Sequence, residues 1–299
     1  MRARIITAAL LAACLPACLP AAVSAATDAS AQPPVATQGL ADAPPVAAGA
    51  PEGGRALMPA KPAHASAHGA KLLEPHLHIA RAGTGAPARV ALTFDACMGK
   101  ADERILSTLL RERVPATIFV TARWLRTNPQ AVAVFKNNPD LFEIEDHGEN
   151  HVPAVDFATS IYGIPAAGSP EAVGREVGRG ADAIRAAGLP EPRWFRGATA
   201  KYDETAIHEI RGMGLRVAGY SVNGDGGSLL GTQETERRIA AAKDGDVVIS
   251  HINQPTHAAG EGVARAIMAL KAKGVMFVRL SDVEATGDGE TTSRQAGLF

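Results

Sequence analysis

Aromatic residues make up only 4% of this 299-residue chain, and neither sign of charge prevails, with 30 lysines and arginines against 31 aspartates and glutamates. There is thus no basic field and no aromatic platform of the kind nucleic-acid binding requires, and no nucleic-acid partner is expected. Several catalytic signatures are also missing: there is no G-x-S-x-G elbow, no G-K-[ST] phosphate loop, no G-x-G-x-x-G opening a helix after a strand, and no H-E-x-x-H. Serine hydrolases with a nucleophile elbow, phosphate-loop enzymes, dinucleotide enzymes and thermolysin-like proteases are therefore set aside. No stretch approaches the run of about eighteen apolar residues that a membrane-spanning helix needs.

Cysteine is scarce as well, with three residues. Cys14 and Cys18 fall in an N-terminal segment with the layout of an export signal. Arg2 and Arg4 precede an apolar run from Ile5 to Leu15, and Val23-Ser24-Ala25 fits small-residue cleavage before Ala26. Residues 1–25 are thus expected to be a signal peptide, and the mature chain to be periplasmic or extracellular. Leu11-Ala12-Ala13-Cys14 also resembles a lipobox, with a weaker one ending at Cys18. A lipid anchor at either cysteine is the one membrane link foreseen, and simple cleavage is preferred. Cleavage leaves Cys97 without a disulfide partner, as a small buried side chain. Residues 26–75, rich in Ala, Pro, Gly and Ser, read as a disordered tether. Its neighbouring histidines, His64, His68, His76 and His78, read as solvated.

From about residue 88 the pattern alternates between strands and helices. Val90–Asp95, Ala116–Thr121, Leu141–Glu145, Arg193–Arg196, Leu215–Val222, Asp246–Ser250 and Val275–Leu280 read as seven strands. Helical stripes lie between them, such as Ile105, Leu106, Leu109 and Leu110, or Val173, Val177, Ala181 and Ile184. Asn128-Pro129 reads as a helix start. Alternation of this kind implies an α/β domain with parallel pairing and right-handed crossovers, able to curl into a barrel. That domain is expected over residues 76–286, with a frayed tail over 287–299.

The polar outliers share a location. Asp95, His147, Arg196, Asp225 and His251 all fall at or just past the C-terminal end of a strand, where α/β enzymes assemble their sites. His147 and His151 are four apart, so one helical turn would put both imidazoles on one face. With a carboxylate they suit a divalent cation, zinc first. Such an ion polarises a carbonyl and activates water. A second carboxylate can take the proton of the water, and His251 can protonate a leaving group. Arg196 can hold an acid in place and Asp225 can orient a histidine. This set fits hydrolysis of an amide or ester.

In this order the motifs resemble the polysaccharide deacetylases, the nodulation-protein-B-like domain of carbohydrate esterase family four, from about Val90 to Leu280. Thr93-Phe94-Asp95 resembles the first motif, whose first Asp is the base. His147 and His151 match its H-x-x-x-H metal pair, with Gly148 where Ser or Thr is usual. Phe195-Arg196 resembles the third motif, whose Arg tethers the base. Asn223-Gly224-Asp225 loosely resembles the fourth, where an Asp tunes the acid histidine. Ile249-Ser250-His251 matches the fifth, whose His is the general acid. The resemblance implies an incomplete (β/α) barrel and metal-dependent removal of N- or O-acetyl groups from an envelope or extracellular polysaccharide. A catalytically inactive glycan- or metal-binding relative is the alternative.

The chain departs from that pattern in three places. The usual second Asp of the first motif, a metal ligand, is Ala96. Gly197-Ala198 replaces Pro-Pro, which bears on the groove wall and a backbone oxyanion donor. Gly226-Gly227 stands where the fourth motif usually has Trp. Three side chains are candidates for the missing ligand. Asp95 ranks first, because it lies at a strand end facing the histidines. Asp102 could turn in from its helix start, with Glu149 also near enough to assist. Cys97 ranks last, because the chain is expected to turn after Ala96. It would share a side with Asp95 if the strand stayed regular.

Overall fold

The computed structural model describes residues 71–287. The expected signal peptide, Cys14, Cys18, residues 26–70 of the tether and the tail beyond residue 287 lie outside the described residues.

The elements in chain order are β1 (Leu77–Ile79), β2 (Arg89–Ala96), α1 (Glu103–Arg111), β3 (Ala116–Val120), α2 (Ala122–Thr127), α3 (Pro129–Asn137), β4 (Phe142–Asp146), β5 (Ser160–Ile161), β6 (Ile164–Pro165), α4 (Pro170–Ala186), β7 (Trp194–Phe195), α5 (Glu204–Gly212), β8 (Arg216–Val217), β9 (Val222–Asn223), α6 (Thr232–Ala240), β10 (Asp246–His251), α7 (Ala259–Ala272), β11 (Met276–Val278) and β12 (Ala285–Gly287). Among them no helix is long and apolar enough to cross a membrane.

Parallel ladders join β10, β2, β3, β4, β7 and β8 in that order. β11 runs beside the first half of β2, and β9 beside β10. The result is a curled, open half-barrel of eight mostly parallel strands. Each strand read from the sequence is present, with the fifth split into β8 and β9. That stretch breaks at Ala218–Ser221, where backbone groups pair outward: Ala218 N–H donates to Phe195 O and Ser221 N–H to Val247 O. Besides the β5–β6 hairpin, two short strands of this sheet were not foreseen. β1 lies antiparallel to β10, and β12 antiparallel to β1. Residues 71–75, assigned to the tether by composition, begin the fold instead, because Leu73 pairs with Tyr202.

Strand alternation separates two core clusters on the two faces of β2, and a third packs α4 and α5 against β7 and β8. Leu92, Phe94 and Ala96 of β2 pack outward with Ile118, Ile144, Val248 and the helices. Ala91 of β2 turns into the half-barrel, with Phe119, Trp194, Val247, Leu77 and Leu280. Thr93 and Asp95 continue along that inner face. The apolar cluster is thus the floor on which the polar residues stand. Leu77→Ala should cost about 2–5 kcal/mol, the usual range for emptying a fully buried leucine site. Denaturant unfolding will measure this.

Residues 152–168 form a loop with the β5–β6 hairpin at its tip. It is tied to the start of α5, where Asp203 accepts from the Asp156 N–H at 3.0 Å. Burial, followed by the neighbouring Asp156 carboxyl, raises the Asp203 pKa to about 6. The folded state therefore disfavours ionised Asp203, and this contribution weakens the fold as pH rises from the unfolded value of about 3.9. Asp156→Asn should stabilise the protein at about pH 7 and have no such effect near pH 4 or below, as read from unfolding curves at both pH values.

Candidate active site

Strand parity places Asp95, Cys97, His147, Arg196 and His251 on the inner side of the half-barrel rim. Asp95 and His251 are register partners on β2 and β10. Arg196 follows β7 and is fully buried. Its Nη1 donates to Asp95 Oδ1 at 3.0 Å and to Thr93 Oγ1 at 2.9 Å, and its Nη2 to Gly219 O at 3.0 Å. The guanidinium carbon lies 4.3 Å from the Phe119 ring centre. Burial alone would raise the Asp95 pKa, but the charge of Arg196, then those of His147 and His251, hold it below the ordinary carboxylate value.

On the opposite side, Asp225 accepts from His251 twice. Its Oδ2 takes the backbone N–H at 2.6 Å, and its Oδ1 takes Nδ1–H at 3.0 Å. This fixes the tautomer and turns Nε2 toward the site. Despite burial, the Asp225 charge and hydrogen bond raise the His251 pKa well above its ordinary value, with a further contribution from Cys97. Asn223, from the same motif, accepts from Gly226 N–H.

His147 and His151 come together, but not on a helical turn. They lie in the loop after β4, with ring centres 5.0 Å apart. Gly148 at φ +88° and His151 at φ +64° give this loop its curl. The His147 Nδ1–H donates to Arg196 O, so Nε2 faces inward. Nε2 lies 3.4 Å from Cys97 Sγ and 3.9 Å from Asp95 Oδ2. Burial opposes protonation of His147, yet the neighbouring Asp95 and Cys97 charges raise its pKa to about 9. Burial likewise opposes the Cys97 thiolate, but His147, His151 and His251 together lower that pKa well below the ordinary thiol value. Among the described residues, the ligand atoms of Cys97, His147 and His151 lie within 4.8 Å of one another.

The other sequence candidates lie elsewhere. Asp102 accepts from Arg104 N–H as the N-cap of α1 and pairs with the Arg104 side chain. Glu149 pairs with Arg179. Gly197 N–H, next to the arginine, is already donated to the Tyr202 hydroxyl at 2.7 Å.

Sequence reasoning passed over the residues that shape the histidine loop. Glu176 of α4 accepts from the N–H groups of Asn150 and Val152 at 2.8 and 3.0 Å, and its own carbonyl accepts from Glu149 N–H. The available signal was an acid on the buried stripe of α4, between Val173 and Gly180. Gly180 lets the helix approach, since a Cβ there would strike Asp146 Oδ1 and lie 2.8 Å from Gly148 Cα. Ala normally favours a helix over Gly by roughly 0.5–1 kcal/mol. Gly180→Ala should instead destabilise the protein by about 1–3 kcal/mol, as overpacking does. Gly178→Ala, whose Cβ meets only Met213 Cε at 3.5 Å, should not. Thermal unfolding of the two variants will separate these outcomes.

Part of the chain resembles a known family in sequence, and its fold resembles solved structures. Residues 82–218 match the family model for polysaccharide deacetylase. No curated protein matches the sequence. Solved structures do match in fold. One is a family 4 carbohydrate esterase pseudoenzyme from Bacillus anthracis, 20% identical at a TM-score of 0.52, covering 67% of this chain and 66% of that one. Another is a family 4 acetyl xylan esterase from Clostridium thermocellum in complex with a cobalt ion, 22% identical at a TM-score of 0.52, covering 65% and 89%. A third is a family 4 carbohydrate esterase from Streptomyces lividans in complex with acetate, 19% identical at a TM-score of 0.51, covering 64% and 93%. The fold is thus shared with esterases and with a pseudoenzyme, and this chain's own residues must carry the functional argument.

Proposed function

We propose that the protein is a metal-dependent hydrolase that removes acetyl groups from an acetylated polysaccharide outside the cytoplasm. The observation that carries this reading is the opposed protonation of two side chains that are register partners. Arg196 keeps Asp95 ionised, while Asp225 keeps His251 protonated. Two titratable groups with pKa values pushed apart in one site are the mark of assigned base and acid roles. Asp95 accepts the proton of the attacking water. His251, aimed by Asp225, gives its Nε2 proton to the departing amine or alcohol. Arg196 orients Asp95 and touches no substrate in this scheme.

The residues present fit a divalent cation, zinc first. His147 Nδ1 is committed to a carbonyl, the outer support commonly found behind metal-binding imidazoles, and its Nε2 faces His151 and a thiol. A bound ion would polarise the acetyl carbonyl and make water a better nucleophile. The family supports an acetylated polysaccharide as substrate class, and the leader-like residues 1–25 support an envelope or extracellular setting.

Acetate release from acetylated glucosamine oligomers and from acetylated xylan tests this reading. Turnover should vanish with a chelator and return with zinc. His251→Ala should lower it by about 10²–10⁴-fold, the usual contribution of a positioned acid. Cation binding without acetate release on either substrate would favour the inactive, glycan-binding alternative represented among the structural neighbours.

A further inference from the structure

We infer that Cys97, and no carboxylate, is the third protein ligand of the cation held by His147 and His151. The inference rests on the metal-dependent reading above and names the donor that the Ala96 substitution leaves open. A tetrahedral zinc with bonds of about 2.3 Å to sulfur and about 2.0–2.1 Å to nitrogen sets those two ligand atoms roughly 3.5 Å apart. Cys97 Sγ lies 3.4 Å from His147 Nε2, and the ligand atom of His151 falls within the same 4.8 Å group.

The carboxylates are otherwise engaged. Asp95 Oδ1 is held by Arg196, and its Oδ2 stands 3.9 Å from His147 Nε2. Two ligands at the same oxygen and nitrogen bond lengths would lie only about 3.3–3.5 Å apart. Asp102 and Glu149 serve Arg104 and Arg179, and Asp225 serves His251. Ala96 itself packs among the outer apolar residues, away from the histidines.

Strand geometry supplies the reason a cysteine can do this. β2 runs through Ala96, and Thr121 Oγ1 then donates to Cys97 O at 2.6 Å, keeping the chain in line one residue further. Cys97 therefore extends the inner row of Thr93 and Asp95 and is buried beside the histidines. Its sulfur joins two imidazoles in a borderline-soft set that suits zinc or cobalt and disfavours magnesium or calcium. Asp95, relieved of coordination, remains with Arg196 to handle the proton.

Cobalt titration of the metal-free full chain tests the assignment through a readout independent of turnover. Binding should bring up a near-ultraviolet thiolate-to-cobalt charge-transfer band. Cys97→Ser should lose the band and weaken binding by at least about 10–100-fold, the loss that even an outer-shell partner causes. Cys97→Asp should bind without the band, which guards against a folding defect in the serine variant. Asp95→Asn should keep the band. Cobalt bound by the native protein with no such band, or bound as tightly by Cys97→Ser, would overturn the inference and leave the hydrolase reading standing. Failure of the native protein to bind any of cobalt, zinc or nickel would instead bring down the metal-dependent reading and the inference with it.

Discussion

A single buried guanidinium holds the site together. Arg196 is fully enclosed, stacked on Phe119 of β3 and bonded to Asp95 and Thr93 of β2. It also donates to the carbonyls of Gly219 and, at 3.4 Å, Ala218, in the segment between β8 and β9. Its own carbonyl takes the His147 Nδ1–H. One residue thus sets the charge of the base, the tautomer of a histidine and the path of the chain where the half-barrel opens. Removing one partner of such a buried pair typically costs about 3–5 kcal/mol, because the other charge is left uncompensated. Deleting either side chain outright would leave the other stranded, whereas Asn at position 95 can still accept from the Arg196 Nη1.

The layers beneath the arginine explain why it can be buried at all. The apolar floor of Leu77, Ala91, Phe119, Trp194 and Val247 fills the inside of the half-barrel. Above it, strand parity turns the polar residues of the rim inward, and each arrives with a partner. Glu145, one inward position before His147, accepts the N–H groups of Arg193 and Trp194 and so seats β7 beside β4. Burial raises its pKa well above the ordinary value, which suits a neutral carboxyl used for structure. Partner rather than position separates the two acids: Glu145 and Asp95 stand at one register level on either side of Phe119, but Glu145 accepts from backbone N–H groups while Asp95 faces the Arg196 guanidinium.

Much of this was legible because it follows from alternation. The seven strand-like runs and the polar residues at their C-terminal ends are consequences of periods two and 3.6, whereas the turn expected after Ala96 does not occur and Cys97 stays on the side of Asp95. What alternation does not encode was missed. β1 and β12 are three residues each, too short for a period to emerge, and they exist through pairing with β10 and with each other. The histidine spacing suggested a helical turn, yet Gly148 and His151 at positive φ form a curled loop that brings the rings together by another route. Glu176 read as one acid on an amphipathic helix, since its partners are backbone N–H groups that have no signature in a sequence.

Charge balance gives the rim its chemical division. Asp95 is neutralised by Arg196, and His251 by Asp225, each across a short contact within the fold. Cys97 is the nucleophilic side chain left facing imidazoles, and those imidazoles stabilise its anion while it raises the pKa of His147. A proton and a divalent cation compete for the same lone pairs in such a cluster. The two outer pairs carry fixed partners at Asp95 Oδ1 and His251 Nδ1. The central cluster has lone pairs from sulfur and nitrogen converging on one point. Ion pairs at the flanks therefore do more than stabilise the fold: they hold Asp95 Oδ1 and His251 Nδ1 in fixed bonds on either side of the sulfur and imidazoles.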